Sequence, residues 1–180
     1  ITPWNFPIAI PAWKLAPALA YGNAVVLKPA DLVPGTVHLL VQVIQDAGCP
    51  PGLVNLVMGP GSIVGQALIE EPGIDGISFT GSVATGRRIA RVAGARLLKV
   101  QLEMGGKNPM VVLDDADLDL AVAACLNGAF LSTGQRCTAS SRLIVQGGIH
   151  DAFVAALGRQ MQALRVGPAL EPDSQIGPEI

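Results

Sequence analysis

Short apolar runs of β character recur along this chain, and their punctuation constrains the fold more than any other feature. They lie at residues 24–27, 53–57, 76–80, 97–102, 110–113 and 142–146, and nearly all run into glycine, proline or a charged residue. Patterns of helical period stand between most of them, at 13–21, 36–47, 63–70, 87–93, 118–131 and 150–164. Strand, helix, strand, helix in sequence predicts a parallel sheet with right-handed crossovers, an α/β architecture. The run Ala24-Val25-Val26-Leu27 is apolar throughout, as a strand buried on both faces should be. The helix at 36–47 has a firm stop, Gly48 followed by Pro50 and Pro51. The 21 glycines and 14 prolines are spread between the apolar runs as punctuation of many short elements.

Composition narrows the setting. Of 180 residues, 50% are hydrophobic and only 14% charged, against about 25% charged in an average soluble domain. A self-contained domain should need more charge to cover its surface, so the chain is expected to be an internal piece of a longer protein. It begins at Ile1 without a targeting segment and stops at Gly177-Pro178-Glu179-Ile180, which fits that expectation. The net charge of −2 suggests neither nucleic acid nor an anionic membrane as partner. No apolar run approaches the roughly 18 residues of a membrane span. Cys49, Cys125 and Cys137 have no metal-like spacing and point to free thiols in a reducing, cytoplasmic compartment.

Chemistry-bearing residues gather where the apolar runs end. Lys28 closes the first run, where ligands bind in open α/β sheets, and Asp31 follows three residues on. The alternative is a lysine leaving the sheet for solvent. The run at 76–80 passes into Gly81-Ser82-Val83-Ala84-Thr85-Gly86 and a helix. Free N–H groups and glycines there suit a phosphate, though Ser82 reads equally as an ordinary N-cap. The Gly-x4-Gly spacing is neither the dinucleotide fingerprint nor a P-loop. Glu103 follows an apolar run and precedes Gly105-Gly106. Partial burial there would raise its proton affinity toward general-base work, and pairing with Lys99 or Lys107 is the alternative. Asn5 sits between Pro3 and Pro7 in a loop and offers an amide donor. The acidic run Asp114-Asp115-Ala116-Asp117-Leu118-Asp119 lacks the glycine and glutamate of a calcium loop and reads as capping of the next helix. Cys125 lies inside that helix and is expected to pack. Cys137 differs: it sits on a glycine- and serine-punctuated loop beside Arg136, and nearby positive charge favours the nucleophilic thiolate. By itself such a cysteine is more often a buried packing thiol.

The motifs are more specific together than singly. Pro3-Trp4-Asn5-Phe6-Pro7, Lys28-Pro29-Ala30, Phe79-Thr80-Gly81-Ser82, Leu102-Glu103-Met104-Gly105-Gly106-Lys107-Asn108-Pro109 and Gly134-Gln135-Arg136-Cys137 occur in this order. The series resembles that of the aldehyde dehydrogenase superfamily over essentially the whole chain. The resemblance implies a Rossmann-like parallel sheet at 1–104, part of an NAD(P)-binding domain, then the start of a second α/β catalytic domain at 105–180. It implies Cys137 as nucleophile, Asn5 and the Cys137 N–H as oxyanion donors, and Glu103 as the base that activates water. Lys28 would hold the adenosine ribose and Ser82 the pyrophosphate, with Thr2, Trp4 and Gly81 in the same cofactor site. Asp31 would repel a 2′-phosphate and favour NAD, with NADP left open. Glu103 favours hydrolysis over acyl transfer to coenzyme A, which is the competing activity. A non-catalytic piece of the fold is the other alternative. The runs 28–35 and 132–145 look most like the α-ketoglutaric semialdehyde branch. The family's oligomerisation hairpin and downstream Glu-x-Phe-Gly-Pro motif are not among these residues, and a homo-oligomer is expected of the full-length protein.

Overall fold

A computed structural model describes residues 1–180. The chain forms two compact units, Ile1–Met104 and Gly105–Ile180.

The first unit opens with a bent segment and then helix α1 (Ala9–Ala20). The helix begins four residues earlier than the apolar pattern predicts. Pro11 does not oppose this, because a first-turn N–H has no partner within the helix anyway. Strand β1 (Val25–Leu27), helix α2 (Pro34–Asp46) and strand β2 (Val54–Leu56) follow. Pro34 starts α2 with its φ already suited to a helix. Gly48, at φ 89°, ends it. Its N–H bonds to Gln45 and that of Cys49 to Ile44, the two hydrogen bonds of a Schellman turn. A π-helical turn (Gly61–Gly65) leads into the short helix α3 (Gln66–Glu70). Strand β3 (Gly76–Gly81), helix α4 (Val83–Arg96) and strand β4 (Lys99–Met104) complete the unit.

The second unit holds strand β5 (Asn108–Val112), helix α5 (Leu118–Ala129), strand β6 (Ser140–Val145) and helix α6 (His150–Gln162). Asp117 caps α5, accepting from the Leu120 N–H at 2.9 Å. Within the acidic run Asp117 is thus the helix cap, while Asp114 accepts from the Ile149 N–H at 3.2 Å, ahead of α6.

Every strand pair is parallel: β1 with β2, β3 with β4, and β5 with β6. The expected α/β class holds, but the strands form two-stranded ladders and not one uninterrupted sheet. In the first unit the first two residues link the two ladders. The Ile1 nitrogen donates to the Ser78 carbonyl at 2.9 Å and the Thr80 N–H to the Ile1 carbonyl at 3.1 Å, the pattern of a parallel ladder. The Thr2 N–H donates to the Lys28 carbonyl at 3.0 Å. Ile1 and Thr2 thus stand between β1 and β3 and bond to both. One face of β1 also stays open, with Val26 37% exposed, so burial on both faces is not observed.

Each ladder has its own apolar cluster. Leu15, Leu27, Val37, Val41 and Val54 pack between α1, α2 and the first ladder. Ile69, Ile77, Phe79 and Ile89 pack α3 and α4 on the second. Val112, Val122, Cys125, Phe153 and Leu157 join α5 and α6 to the third. Burying each such large side chain contributes about 1.5–3 kcal/mol before entropy is counted.

Candidate functional site

In the first unit the candidate residues gather at the C-terminal ends of parallel strands, the end at which open α/β sheets bind ligands. Lys28 directly follows β1 and is buried, so it does not leave for solvent. A buried cation needs a partner. Lys28 Nζ donates to Asp31 Oδ1 at 2.7 Å, with Asp31 half-exposed. Thr2 is buried beside it, its Oγ1 lacking a protein partner. Trp4 and Asn5 follow on the bent segment, both half-buried.

Gly81 ends β3 and Ser82 caps α4. The Ser82 hydroxyl accepts from the Thr85 N–H at 3.3 Å and donates to Thr85 Oγ1 at 3.0 Å. The Gly-x4-Gly spacing has a packing origin. A Cβ on Gly81 would stand 2.6 Å from the Phe79 ring, and one on Gly86 would collide with the Met104 sulfur. Gly86 lets α4 close onto β4, and Gly81 leaves room for the Phe79 ring of its own strand.

Glu103 differs from expectation. It lies inside β4, paired with Thr80, and is exposed. The strand is shifted two residues along because Leu97 and Leu98 are spent on ending α4. Leu97 takes φ 55°, and the Leu98 N–H bonds to the Ala93 carbonyl at 2.9 Å. The partial burial expected of Glu103 is absent, and so is pairing with Lys99 or Lys107. Its charge is felt instead by Lys14. Burial lowers the Lys14 ammonium from its ordinary range, and Glu103 pulls it back up. Lys14 Nζ also donates to Ser78 Oγ at 2.8 Å. Lys14 is the one cation in a helix otherwise apolar, which marks it in the sequence.

In the second unit Cys137 is exposed, whereas Cys125 is fully buried in the core. Burial pushes the Cys125 thiol up, as packing requires. The Ala139 N–H bonds to the Arg136 carbonyl at 3.1 Å, which makes Cys137 and Thr138 the central residues of a β-turn. The approach to that turn is left-handed, with Ser132, Thr133 and Gly134 at φ 56°, 54° and 67°. Arg136 differs from the sequence reading. Its guanidinium donates to the carbonyls of Asn127 and, at 3.3 Å, Gly128. The cation is committed to the carbonyl end of α5, where the helix dipole favours it. Asn108, singled out in the sequence only as a motif member, donates through Nδ2 to the Cys137 carbonyl at 2.7 Å and the Ala139 carbonyl at 3.2 Å.

No group of three or more histidine, cysteine, aspartate or glutamate side chains could hold a metal ion. No helix is long and apolar enough to cross a membrane.

Comparison with known proteins bears on the whole chain. The model of the aldehyde dehydrogenase family matches residues 1–180. The α-ketoglutaric semialdehyde dehydrogenase of Bacillus subtilis is 52% identical over 99% of this chain and 36% of its own length. The 2,5-dioxopentanoate dehydrogenase of Saccharolobus solfataricus is 48% identical over 100% of this chain and 38% of its own. Among solved structures, the betaine aldehyde dehydrogenase of Staphylococcus aureus in complex with NAD+ superposes with a TM-score of 0.94 at 40% identity. It covers 98% of this chain, which in turn covers 35% of it. The lactaldehyde dehydrogenase of Escherichia coli gives 0.94 at 44% identity, over 98% of this chain and 37% of its own. The chain thus spans little more than a third of the relatives it matches. Matched from its first residue to its last, and at these identities, the chain belongs to the aldehyde dehydrogenase family.

Proposed function

We infer that the protein carrying this chain oxidises an aldehyde to a carboxylic acid with NAD+ as oxidant, NADP+ staying open, through a covalent intermediate on Cys137. The observation that carries this reading is an exposed Cys137 on a β-turn in a chain that matches the family throughout. In this reading Ile1–Met104 is part of the cofactor-binding domain and Gly105–Ile180 part of the catalytic domain.

The residues of the first unit fit a dinucleotide. Lys28 offers an ammonium at a strand end, and the buried Thr2 Oγ1 is a polar atom without a protein partner. Ser82 stands at the N-terminus of a long helix, which favours phosphate. Lys28 would hold ribose hydroxyls, Ser82 with Gly81 the pyrophosphate, and Trp4 one wall of the cleft. Asp31, already turned to Lys28, would disfavour a 2′-phosphate. When bound, NAD+ supplies the acceptor for hydride.

The chain's own residues would do the rest. The Cys137 thiolate attacks the aldehyde carbon, forming a C–S bond and leaving an alkoxide on the former carbonyl oxygen. The Asn5 amide and the Cys137 N–H donate to that oxygen. Loss of hydride from the same carbon leaves a thioester on Cys137. Glu103 then takes a proton from water as its oxygen attacks the thioester. The C–S bond breaks, the acid leaves and the thiolate returns. The runs 28–35 and 132–145, together with the two semialdehyde dehydrogenase relatives, favour α-ketoglutaric semialdehyde as substrate. Three free cysteines suit a reducing, cytoplasmic setting, and a homo-oligomer remains part of the reading.

The test is reduction of NAD+ by the full-length protein with a panel of α-ketoglutaric semialdehyde, betaine aldehyde and lactaldehyde. Turnover in the parent and none in Cys137→Ala is the expected result. Normal turnover by Cys137→Ala would sink the reading.

A further inference from the structure

The turn that carries Cys137 is held by side-chain and backbone donors that the chemistry above does not use. Its closing hydrogen bond, from the Ala139 N–H to the Arg136 carbonyl, fixes the peptide before Cys137. Asn108 fixes two more. The two protons of its Nδ2 go to the carbonyls of Cys137 and Ala139, on either side of Thr138. The carbonyls of Arg136, Cys137 and Ala139 are therefore all engaged. The Asn108 side chain can reach both because its backbone begins β5 opposite Ser140, directly after the turn. The register shifts at the next pair, Pro109 with Arg142, and Pro109 has no N–H to give to the ladder.

Fixing the Cys137 carbonyl has an electrostatic consequence. The two commonest turn types differ mainly by a flip of the central peptide, here the one joining Cys137 to Thr138. In a trans peptide the next N–H points opposite the carbonyl. With the carbonyl held by Asn108, the Thr138 N–H is turned to the other side. A flip would put a carbonyl oxygen where that N–H stands, exchanging the positive end of a dipole for the negative end in the peptide that follows Cys137. Three residues that precede the turn, Ser132, Thr133 and Gly134, are left-handed, two of them not glycine.

We propose that Asn108 is a positioning residue that sets the backbone of Cys137 through its fork onto the Cys137 and Ala139 carbonyls. The role rests on the reading of Cys137 as nucleophile. Asn108 touches neither substrate nor cofactor in this scheme, so its removal slows steps at the thiol and leaves binding alone.

The experiment uses the full-length protein with Asn108→Ala, Asn108→Asp and Asn108→Gln, and Cys137→Ala as reference. The aspartate variant keeps the shape and lacks the donors, and is read alongside in case the alanine variant does not fold. In the alanine and aspartate variants kcat is expected to fall about 10- to 100-fold, with KM for NAD+ and aldehyde within about twofold of the parent. Alkylation of Cys137 by iodoacetamide, measured by mass relative to Cys49 in the same molecule, should fall with it. Asn108→Gln, which keeps the two-proton donor, should regain a large part of both. Parental kcat and a parental Cys137-to-Cys49 ratio in the donorless variants would overturn the proposal. So would losses in all three variants that follow thermal stability alone. If Cys137→Ala itself turns over normally, the nucleophile reading fails, and that outcome is distinct from a failure of Asn108.

Discussion

Two residues in the first unit end helices in the same way, and only one is suited to it. Gly48 closes α2 and Leu97 closes α4, each in a left-handed conformation with the paired hydrogen bonds of a Schellman turn. Glycine reaches that conformation without a steric cost, while an L side chain brings Cβ against a carbonyl. Leu97 gains nothing in return, since its side chain is 92% exposed. Leu97→Gly should therefore stabilise the protein by about 0.5–1 kcal/mol once the greater freedom of glycine in the unfolded chain is subtracted. Urea denaturation of both forms measures it, and an unchanged or lower midpoint would contradict the argument. The same residue explains why Glu103 lies inside β4 and not beyond its end. Leu97 and Leu98 look like strand residues by composition, and only the hydrogen bonding of the helix end reveals that they are a cap.

At the scale of elements, α4 lies close on β4 because Gly86 offers no Cβ, while Gly81 leaves room for Phe79 within β3. The sequence suggested instead that these glycines make room for a phosphate, and the two uses do not exclude each other. They differ in what a methyl group would do. Gly81→Ala places a carbon 2.6 Å from the ring of Phe79, a side chain only 4% exposed with nowhere to retreat. Overpacking of this kind costs about 1–3 kcal/mol. A drop of that size in thermal or denaturant stability, measured without cofactor, is expected. A variant as stable as the parent but weaker for NAD+ would return the glycine to a purely ligand-facing role. The acidic run before α5 and the stop after α2 were legible because caps use local chemistry, one side chain and the next turn. The start of α1 was not, since proline in a first turn is neutral and composition alone cannot say which turn is first.

For the whole molecule, the order of elements and the family were in the sequence, because apolar period and ordered motifs are local properties of the chain. The proposed role of Glu103 as base shows only in turnover by the full-length protein. Glu103→Gln should release one burst of reduced nicotinamide and then stall at the thioester, while the parent yields acid without coenzyme A. Steady turnover by the variant, or a requirement for coenzyme A in the parent, would remove the assignment. Sequence by itself determined that strands alternate with helices, that Lys28 and Ser82 follow strand ends, and that Cys125 packs while Cys137 sits on a loop. Only the tertiary structure decided the rest. It paired Lys28 with Asp31, set Ile1 and Thr2 between β1 and β3, turned Arg136 to the end of α5 and brought Asn108 to the Cys137 carbonyl. The Ile1 and Asn108 contacts join residues 77 and 29 positions apart. Partners of that kind are chosen by which unsatisfied donors and acceptors packing leaves within reach, a choice no local pattern encodes.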